Sequence, residues 1–173
     1  MCCFTLEICN KSLDLVLNLV IITHMEKIDS FKGEYRWLSN FHLCAIPYDD
    51  FTYSSTEAAY QAAKCLNSKD KLKFFPLSPS ESKKLGRKIL IREDWEQIKG
   101  HVMEEVVRIK FTLHPDLKQK LLDTGEKELI EGNTWHDNCF GNCICSKCKD
   151  VVGENALGKI LMKIREELKG VKI

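Results

Sequence analysis

The sequence has little excess of charge of either sign. Lys and Arg number 26 and Asp and Glu number 25, which gives a formal net charge of +1. Such a chain has no overall positive field to draw it onto nucleic acid or a membrane surface, so any polyanion site must be local. With 173 residues, 44% of them hydrophobic, the chain suits a single globular domain, or a domain plus a tail.

The sequence also lacks a long hydrophobic run. The segment 13–22 is apolar apart from Asp14 and Asn18, and it is shorter than the about 20 residues that span a bilayer. It has neither the basic start nor the cleavage site of a signal peptide. We interpret residues 1–24 as a disordered or dispensable extension, or a start-site artefact, and place the domain at 25–173. We expect a cytoplasmic protein without a membrane partner.

Cysteine, in contrast, is abundant, with nine residues. An odd number without a signal pattern argues against a disulfide scaffold. Thiolates are good zinc ligands, and the Cys145-x-x-Cys148 spacing suits one metal ion. We therefore consider a structural zinc ion held by Cys139, Cys143, Cys145 and Cys148, with His136 or Asn138 as alternative members of the set. Reduced free thiols are an equal alternative.

The periodicity predicts a helix-rich α+β domain with a small sheet and no internal repeat. Strand patterns are predicted over 43–48 and 51–53, which form a hairpin around Asp49 and Asp50, over 128–131, and at the start of 31–41. A helix capped by Ser54 follows the hairpin. Further helices are predicted over 70–75, 80–89, 94–113, 116–122 and 155–168.

The helix after the hairpin carries three polar residues along one stripe. At about 100° per residue, Gln61 and Lys64 lie about 40° and 20° to either side of Glu57. A carboxylate, an amide and an amine on one face can supply acid–base chemistry, hydrogen bonds, and a nucleophile or charge clamp. The alternative is a solvated stripe, with Glu57 completing a capping box with Ser54.

Two further segments suggest ligand contacts. Trp135-His136-Asp137, shortly before Gly141, suits a loop that stacks a base or sugar and binds a hydroxyl group, although a structural Trp with an Asx-turn fits as well. Arg87 follows Gly86 and can hold a phosphate, or it can belong to an ordinary basic helix surface.

Taken in order, these segments resemble the NADAR (YbiA-like) family. The resemblance rests on motifs spread from Ile28 to Leu168: Phe31-x-Gly33-x-Tyr35, Trp37-Leu38-Ser39-Asn40-Phe41, Tyr53-x-Ser55-x-Glu57, Tyr60-Gln61-Ala62-x-Lys64, Gly86-Arg87, Trp95, Trp135-x-Asp137-x-x-Phe140-Gly141 and Gly153-x-Asn155-x-Leu157-Gly158. Two features depart from it. Phe140 stands where the family often has Trp, and the insert 143–148 occurs in only part of the family.

The resemblance implies a compact α+β hydrolase that cleaves an N-glycosidic bond between a ribose-phosphate moiety and a nitrogenous base. The implied substrates are ribosylamino-pyrimidine phosphates of the riboflavin pathway or ADP-ribosylated guanine in nucleic acid. The implied catalytic residues are Glu57, Lys64 and Asp137. The implied substrate-binding residues are Asn40, Gln61, Arg87, Trp95, Trp135 and Asn155. No cofactor is expected for catalysis.

Breaking the bond between C1′ and nitrogen builds positive charge on the ribose. We expect Glu57, or else Asp137, to stabilise that charge and to orient water. Alternatively, Lys64 forms a Schiff base with C1′, which requires a lowered pKa. Two rivals remain: a non-catalytic module that binds ADP-ribose or an NAD derivative, and a zinc module for nucleic acid, which the near-neutral charge disfavours.

Overall fold

The computed structural model describes residues 26–170, so the interpretation of residues 1–24 lies outside the described part of the chain. The strands are β1 (Lys27–Ile28), β2 (Leu43–Tyr48), β3 (Phe51–Ser55), β4 (Glu128–Leu129), β5 (Gly132–Asn133) and β6 (Asn142–Cys143). The helices are α1 (Thr56–Ala62), α2 (Ser68–Leu72), α3 (Pro79–Gly86), α4 (Trp95–Leu113), α5 (Pro115–Asp123) and α6 (Ala156–Gly170). The predicted helix-rich α+β class is confirmed.

The core lies where α4 packs against α6 on one side and against strand β2 of the hairpin on another, and α6 also packs against β4. The buried face of α4 includes Val102, Met103 and Val106, whose spacing puts them within about 100° of one another around the helix. Leu161 and Ile164 of α6 are fully covered. Both helices occur where the sequence predicts them, within a few residues at their ends.

The predicted hairpin is confirmed as β2 and β3, which pair antiparallel with Ile46 opposite Tyr53. Asp49 occupies the turn with a φ of 51°, a left-handed conformation that Asp tolerates better than most residues. The predicted cap of the next helix is wrong by one position. Ser55 Oγ accepts the hydrogen bond from the amide of Ala58, whereas Ser54 Oγ donates to the carbonyl of Leu77.

The segment 31–41, predicted to begin as a strand, instead contains a 3₁₀ helix over Gly33–Leu38. Gly33 opens it with a φ of 55°, which glycine adopts without steric cost. Phe31 and Leu38 are buried in the core. The aromatic residues that favour a strand here pack on the core, and no neighbouring strand pairs with the segment.

The other strands form two short parallel pairs. β1 pairs with β4, and β5 pairs with β6. The predicted strand 128–131 is therefore only partly correct, because the ladder stops at Leu129. The pairing of β5 with β6 closes the loop 134–141 between them. Within residues 26–170, no helix is long and apolar enough to cross a membrane.

Candidate active site

A cavity of about 550 Å³ opens between α1, α3, the segment 31–41 and the loop that follows β4. Its walls combine three carboxylates, four basic side chains, two amides and several aromatic rings. The lining residues include Phe31, Lys32, Arg36, Asn40, Phe41, Glu57, Tyr60, Gln61, Lys83, Arg87, Glu131, Trp135 and Asp137. Six of the nine residues predicted to be catalytic or substrate-binding are among them.

Helix α1 forms the buried wall of the cavity. All seven of its residues are buried, and its alanines allow neighbouring elements to approach closely. Glu57 and Gln61 project from it into the cavity, and Gln61 Nε2 donates a 2.8 Å hydrogen bond to Glu57 Oε1. The solvated-stripe alternative is therefore wrong for these two residues.

Glu57 is 5% exposed. Burial raises the pKa of this carboxyl, and nearby Asp137 adds to the rise, while Lys83, the hydrogen bond from Gln61, and Lys64 act in the opposite direction. A buried carboxylate aimed into a cavity can stabilise positive charge on a bound molecule strongly, because little water screens it.

Glu131 is a second carboxylate in the cavity, which the sequence analysis missed. Burial raises its pKa to about 7, with further contributions from Asp137 and Glu57. A carboxyl group with this pKa can donate or accept a proton near neutral pH. Glu131 stands at the end of the predicted strand 128–131, and that pattern does not distinguish it as a site residue. Only the folded chain brings it near Glu57.

Asp137 is the third carboxylate, on the loop 134–141. Its Oδ1 accepts hydrogen bonds from the amides of Cys139 and Phe140, at 3.1 and 3.0 Å. Buried Asn133 holds the same loop, because its Nδ2 donates to the carbonyl of Asp137 at 2.7 Å. Trp135, on this loop, lines the cavity while 49% exposed, and the ammonium of Lys32 lies 5.8 Å from its ring centroid.

Two buried amide oxygens in the wall, Asn40 Oδ1 and Gln61 Oε1, have no hydrogen-bond partner. Such atoms are costly unless a ligand or water satisfies them. The loop that carries Asn40 is anchored by Lys110, whose buried Nζ donates to the carbonyl of Ser39 at 2.9 Å. Both oxygens lie inside the cavity wall and not on its surface, and Gln61 Oε1 faces the backbone of Gly86.

The cations of the cavity come from two elements. Lys32 and Arg36 belong to the segment 31–41, and Lys83 and Arg87 come from α3 and the residue that ends it. Four basic side chains around one cavity suit a phosphate-bearing ligand, since Arg forms paired hydrogen bonds with phosphate oxygens and Lys supplies a point charge. The sequence predicted only Arg87 from this set.

Lys64 and Trp95, both predicted site residues, do not line this cavity. The ammonium of Lys64 lies 5.9 Å from the ring centroid of Tyr60 and 5.7 Å from that of Trp95. Trp95 is buried behind Tyr60, with ring centroids 5.0 Å apart. Burial lowers the pKa of the Lys64 amine, and Glu57 opposes this. Lys64 thus lies next to the cavity lining, within electrostatic reach of Glu57, Lys83 and Arg87.

Asn155 also lies outside the cavity, although it was predicted to bind substrate. With a φ of 50°, it connects the start of α6 to the segment after β4. Its Oδ1 accepts from the amide of Glu131 at 3.0 Å, and its Nδ2 donates to the carbonyl of Leu129 at 2.9 Å. Asn155 therefore positions the backbone of Glu131.

The predicted zinc set changes by one residue. His136, Cys143, Cys145 and Cys148 bring their ligand atoms within 4.8 Å of one another. Cys139 is not in this group, which corrects the predicted set. Its backbone amide bonds Asp137, and its thiol lies within electrostatic reach of Glu154 and Lys99. Because the chain turns at Asp137, the side chain of His136, and not that of Cys139, lies next to the three thiols.

Known proteins resemble this chain over most of its length. The model of the NADAR domain family matches residues 28–169. An N-glycosidase of Nostoc punctiforme is 35% identical over 144 residues, which cover 79% of this chain and 88% of that protein. The N-glycosidase YbiA of Escherichia coli K12 is 33% identical over 142 residues, covering 80% of this chain and 85% of YbiA.

A solved structure and a longer protein give two further similarities. The NMR structure of Escherichia coli YbiA superposes with a TM-score of 0.71 at 31% identity, covering 84% of this chain and 86% of that one. A riboflavin biosynthesis protein of Vibrio vulnificus is 33% identical over 145 residues, which are 76% of this chain but 35% of that protein.

Proposed function

Since the chain belongs to the NADAR domain family, we propose that it is a hydrolase that cleaves the N-glycosidic bond between a ribose-phosphate moiety and a nitrogenous base. The observation that carries this proposal is the cavity that joins buried Glu57 and half-buried Glu131 to four basic side chains. The names of its N-glycosidase relatives support the same reaction class.

The proposed reaction uses the carboxylates in different protonation states. As the bond from C1′ to nitrogen breaks, its electron pair goes to the nitrogen, and C1′ gains positive charge. Ionised Glu57 stabilises that charge and orients a water molecule. The protonated form of Glu131 donates its proton to the leaving nitrogen. The water oxygen bonds to C1′, and its released proton restores Glu131.

A second route to the same products runs through Lys64. The neutral amine adds to C1′ of the ring-opened sugar, the base departs with the electron pair of its C1′–N bond and a proton, and the imine is hydrolysed by water. This route requires a neutral amine, which the lowered pKa of Lys64 favours. It also requires the amine of Lys64, which does not line the cavity, to move into it.

The cavity walls suggest how a substrate is held. Trp135 and Tyr60 present rings against which a base can stack. Arg87 and Lys83 bind phosphate. A ribosylamino-pyrimidine phosphate and an ADP-ribosylated guanine share these groups, and the name of the Vibrio vulnificus relative favours the first.

The test of the proposal is incubation of the protein with both compounds, with released base and sugar identified by mass. We expect release from at least one of them, and not from a sample carrying Glu57→Gln. Binding of either compound without release by the wild-type protein would favour a non-catalytic module for ADP-ribose or an NAD derivative.

A further inference from the structure

Outside the cavity, the chain gathers one imidazole and three thiols at a single point. His136 Nδ1 lies 3.3 Å from Cys145 Sγ and 3.3 Å from Cys148 Sγ. All four ligand atoms, including Cys143 Sγ, lie within 4.8 Å of one another. We propose that His136, Cys143, Cys145 and Cys148 bind one zinc ion.

The separations match those expected of a tetrahedral zinc site. With bonds of about 2.3 Å to sulfur and about 2.0 Å to nitrogen, a tetrahedron places sulfur and nitrogen about 3.5 Å apart. The two measured separations of 3.3 Å are close to that edge. Three Cys and one His form a common ligand set for structural zinc, which leaves no position open for substrate.

The backbone presents these ligands without help from distant parts of the chain. Cys143 is fixed by the pairing of β6 with β5 and by a 2.8 Å hydrogen bond from its amide to Asn138 Oδ1. Cys145 and Cys148 flank a turn in which the amide of Cys148 donates to the carbonyl of Cys145 at 3.0 Å. The three thiols therefore come from six consecutive residues.

His136 supplies the fourth ligand from a strained backbone. Its φ is 68°, a left-handed conformation that is uncommon for residues other than glycine and signals an overriding constraint. The side chain is exposed, so burial in a core is not that constraint. Coordination of a metal ion by Nδ1, which already faces two sulfurs, supplies such a constraint.

The proposed zinc site is linked to the cavity by sequence neighbours of one of its ligands. His136 stands between Trp135 and Asp137, which both line the cavity. A metal that holds His136 in place holds both neighbours, although it does not touch the substrate. This consequence rests on the proposed function, whereas the metal site does not.

The first experiment measures zinc by mass spectrometry in protein purified under reducing conditions without added metal. We expect about one zinc ion per chain, as for a closed structural site. Cys139→Ser, the matched control, should keep its zinc, because Cys139 is outside the group. His136→Asn and Cys145→Ser should lose most of it. Wild-type protein that is folded and free of zinc would overturn the proposal.

The second experiment remains decisive if those variants fail to fold. In the wild-type protein, Cys143, Cys145 and Cys148 should resist alkylation until a chelator is added, and peptide mass mapping identifies them. Cobalt in place of zinc should give the visible absorption of a tetrahedral thiolate site. Equal alkylation with and without chelator would refute the metal site and leave reduced thiols. Zinc binding without base release would remove only the proposed function.

Discussion

Gln61 Nε2 donates a 2.8 Å hydrogen bond to Glu57 Oε1, one turn earlier on the same buried helix. The bond orients the carboxylate toward the cavity and leaves Gln61 Oε1 without a protein partner. Burial raises the pKa of Glu57 in spite of this bond. The pair thus places a poorly solvated carboxylate in the cavity wall.

Replacement of Glu57 by Gln should lower kcat by about 10²- to 10⁴-fold, the usual range for a group that acts directly in the reaction. The change keeps the side-chain size and removes the charge that would stabilise C1′. Circular dichroism should show an unchanged fold. Glu93→Gln, at an exposed position outside the cavity, is the matched control and should keep normal activity. Near-native cleavage by Glu57→Gln would exclude Glu57 from the reaction.

Glu131 should give the dependence of kcat on pH a basic limb, which is a fall in kcat at high pH. Its pKa is raised to about 7, so its protonated form decreases as the pH rises through that value. If this form donates the proton, kcat should fall above about pH 7 and level off below it. Glu131→Gln should be slow at every pH and lack this limb. A variant that retains the wild-type limb would assign the limb to another group.

Glu131 should also make stability depend on pH. The folded protein binds its proton more tightly than the unfolded chain, whose Glu has an ordinary pKa of 4.5. The free energy of unfolding therefore falls as the pH rises from about 4.5 to about 7. Thermal unfolding across this range should show a smaller fall for Glu131→Gln than for wild type. Glu128→Gln, on β4 outside the cavity, should behave as wild type.

The imine route requires Lys64 as an amine and not only as a charge. Burial lowers its pKa, so a larger neutral fraction is available for imine formation than for an exposed lysine. If cleavage follows this route, Lys64→Arg, which keeps the charge, should be as inactive as Lys64→Ala. Borohydride added during turnover should then join the sugar to Lys64. An active Lys64→Arg variant without any adduct would favour direct attack by water.

Gly86→Ala should disturb the site through the side chain of Gln61. A Cβ atom at this position would overlap Gln61 Oε1 and lie 2.8 Å from Gln61 Cδ, so the amide must shift and its hydrogen bond to Glu57 is disturbed. Activity should fall by about tenfold or more, since small displacements at an active site are costly. Gly100→Ala, with open space around it, is the control. In a Gln61→Ala background, Gly86→Ala should add little, and full additivity would contradict this coupling.

Local patterns predicted the parts of the fold that depend on local chemistry. The stripe of α4 and the hairpin around Asp49 follow from periodicity and turn preference. The position of the α1 cap did not, because Ser54 and Ser55 are both suitable caps. The tertiary contact of Ser54 with the carbonyl of Leu77 decides between them.

The site was predicted only where its residues lie on one element or in a recognisable motif. Glu57 and Gln61 share a helix face, so their common direction followed from spacing. Glu131 was missed because its meeting with Glu57 depends on how β4 and α1 pack. Trp95 was predicted to bind substrate but does not line the cavity, and sequence spacing gives no sign that its ring packs against Tyr60.

The most direct test of the account compares base release by wild type and Glu57→Gln from a ribosylamino-pyrimidine phosphate under single-turnover conditions. An excess of enzyme removes the contribution of product release, so the measured rate reports cleavage of the C1′–N bond. The account predicts stoichiometric free base and sugar phosphate from the wild type, and release at least about 10²-fold slower from the variant. Equal rates for the two proteins would contradict it, as would bound but uncleaved substrate in both.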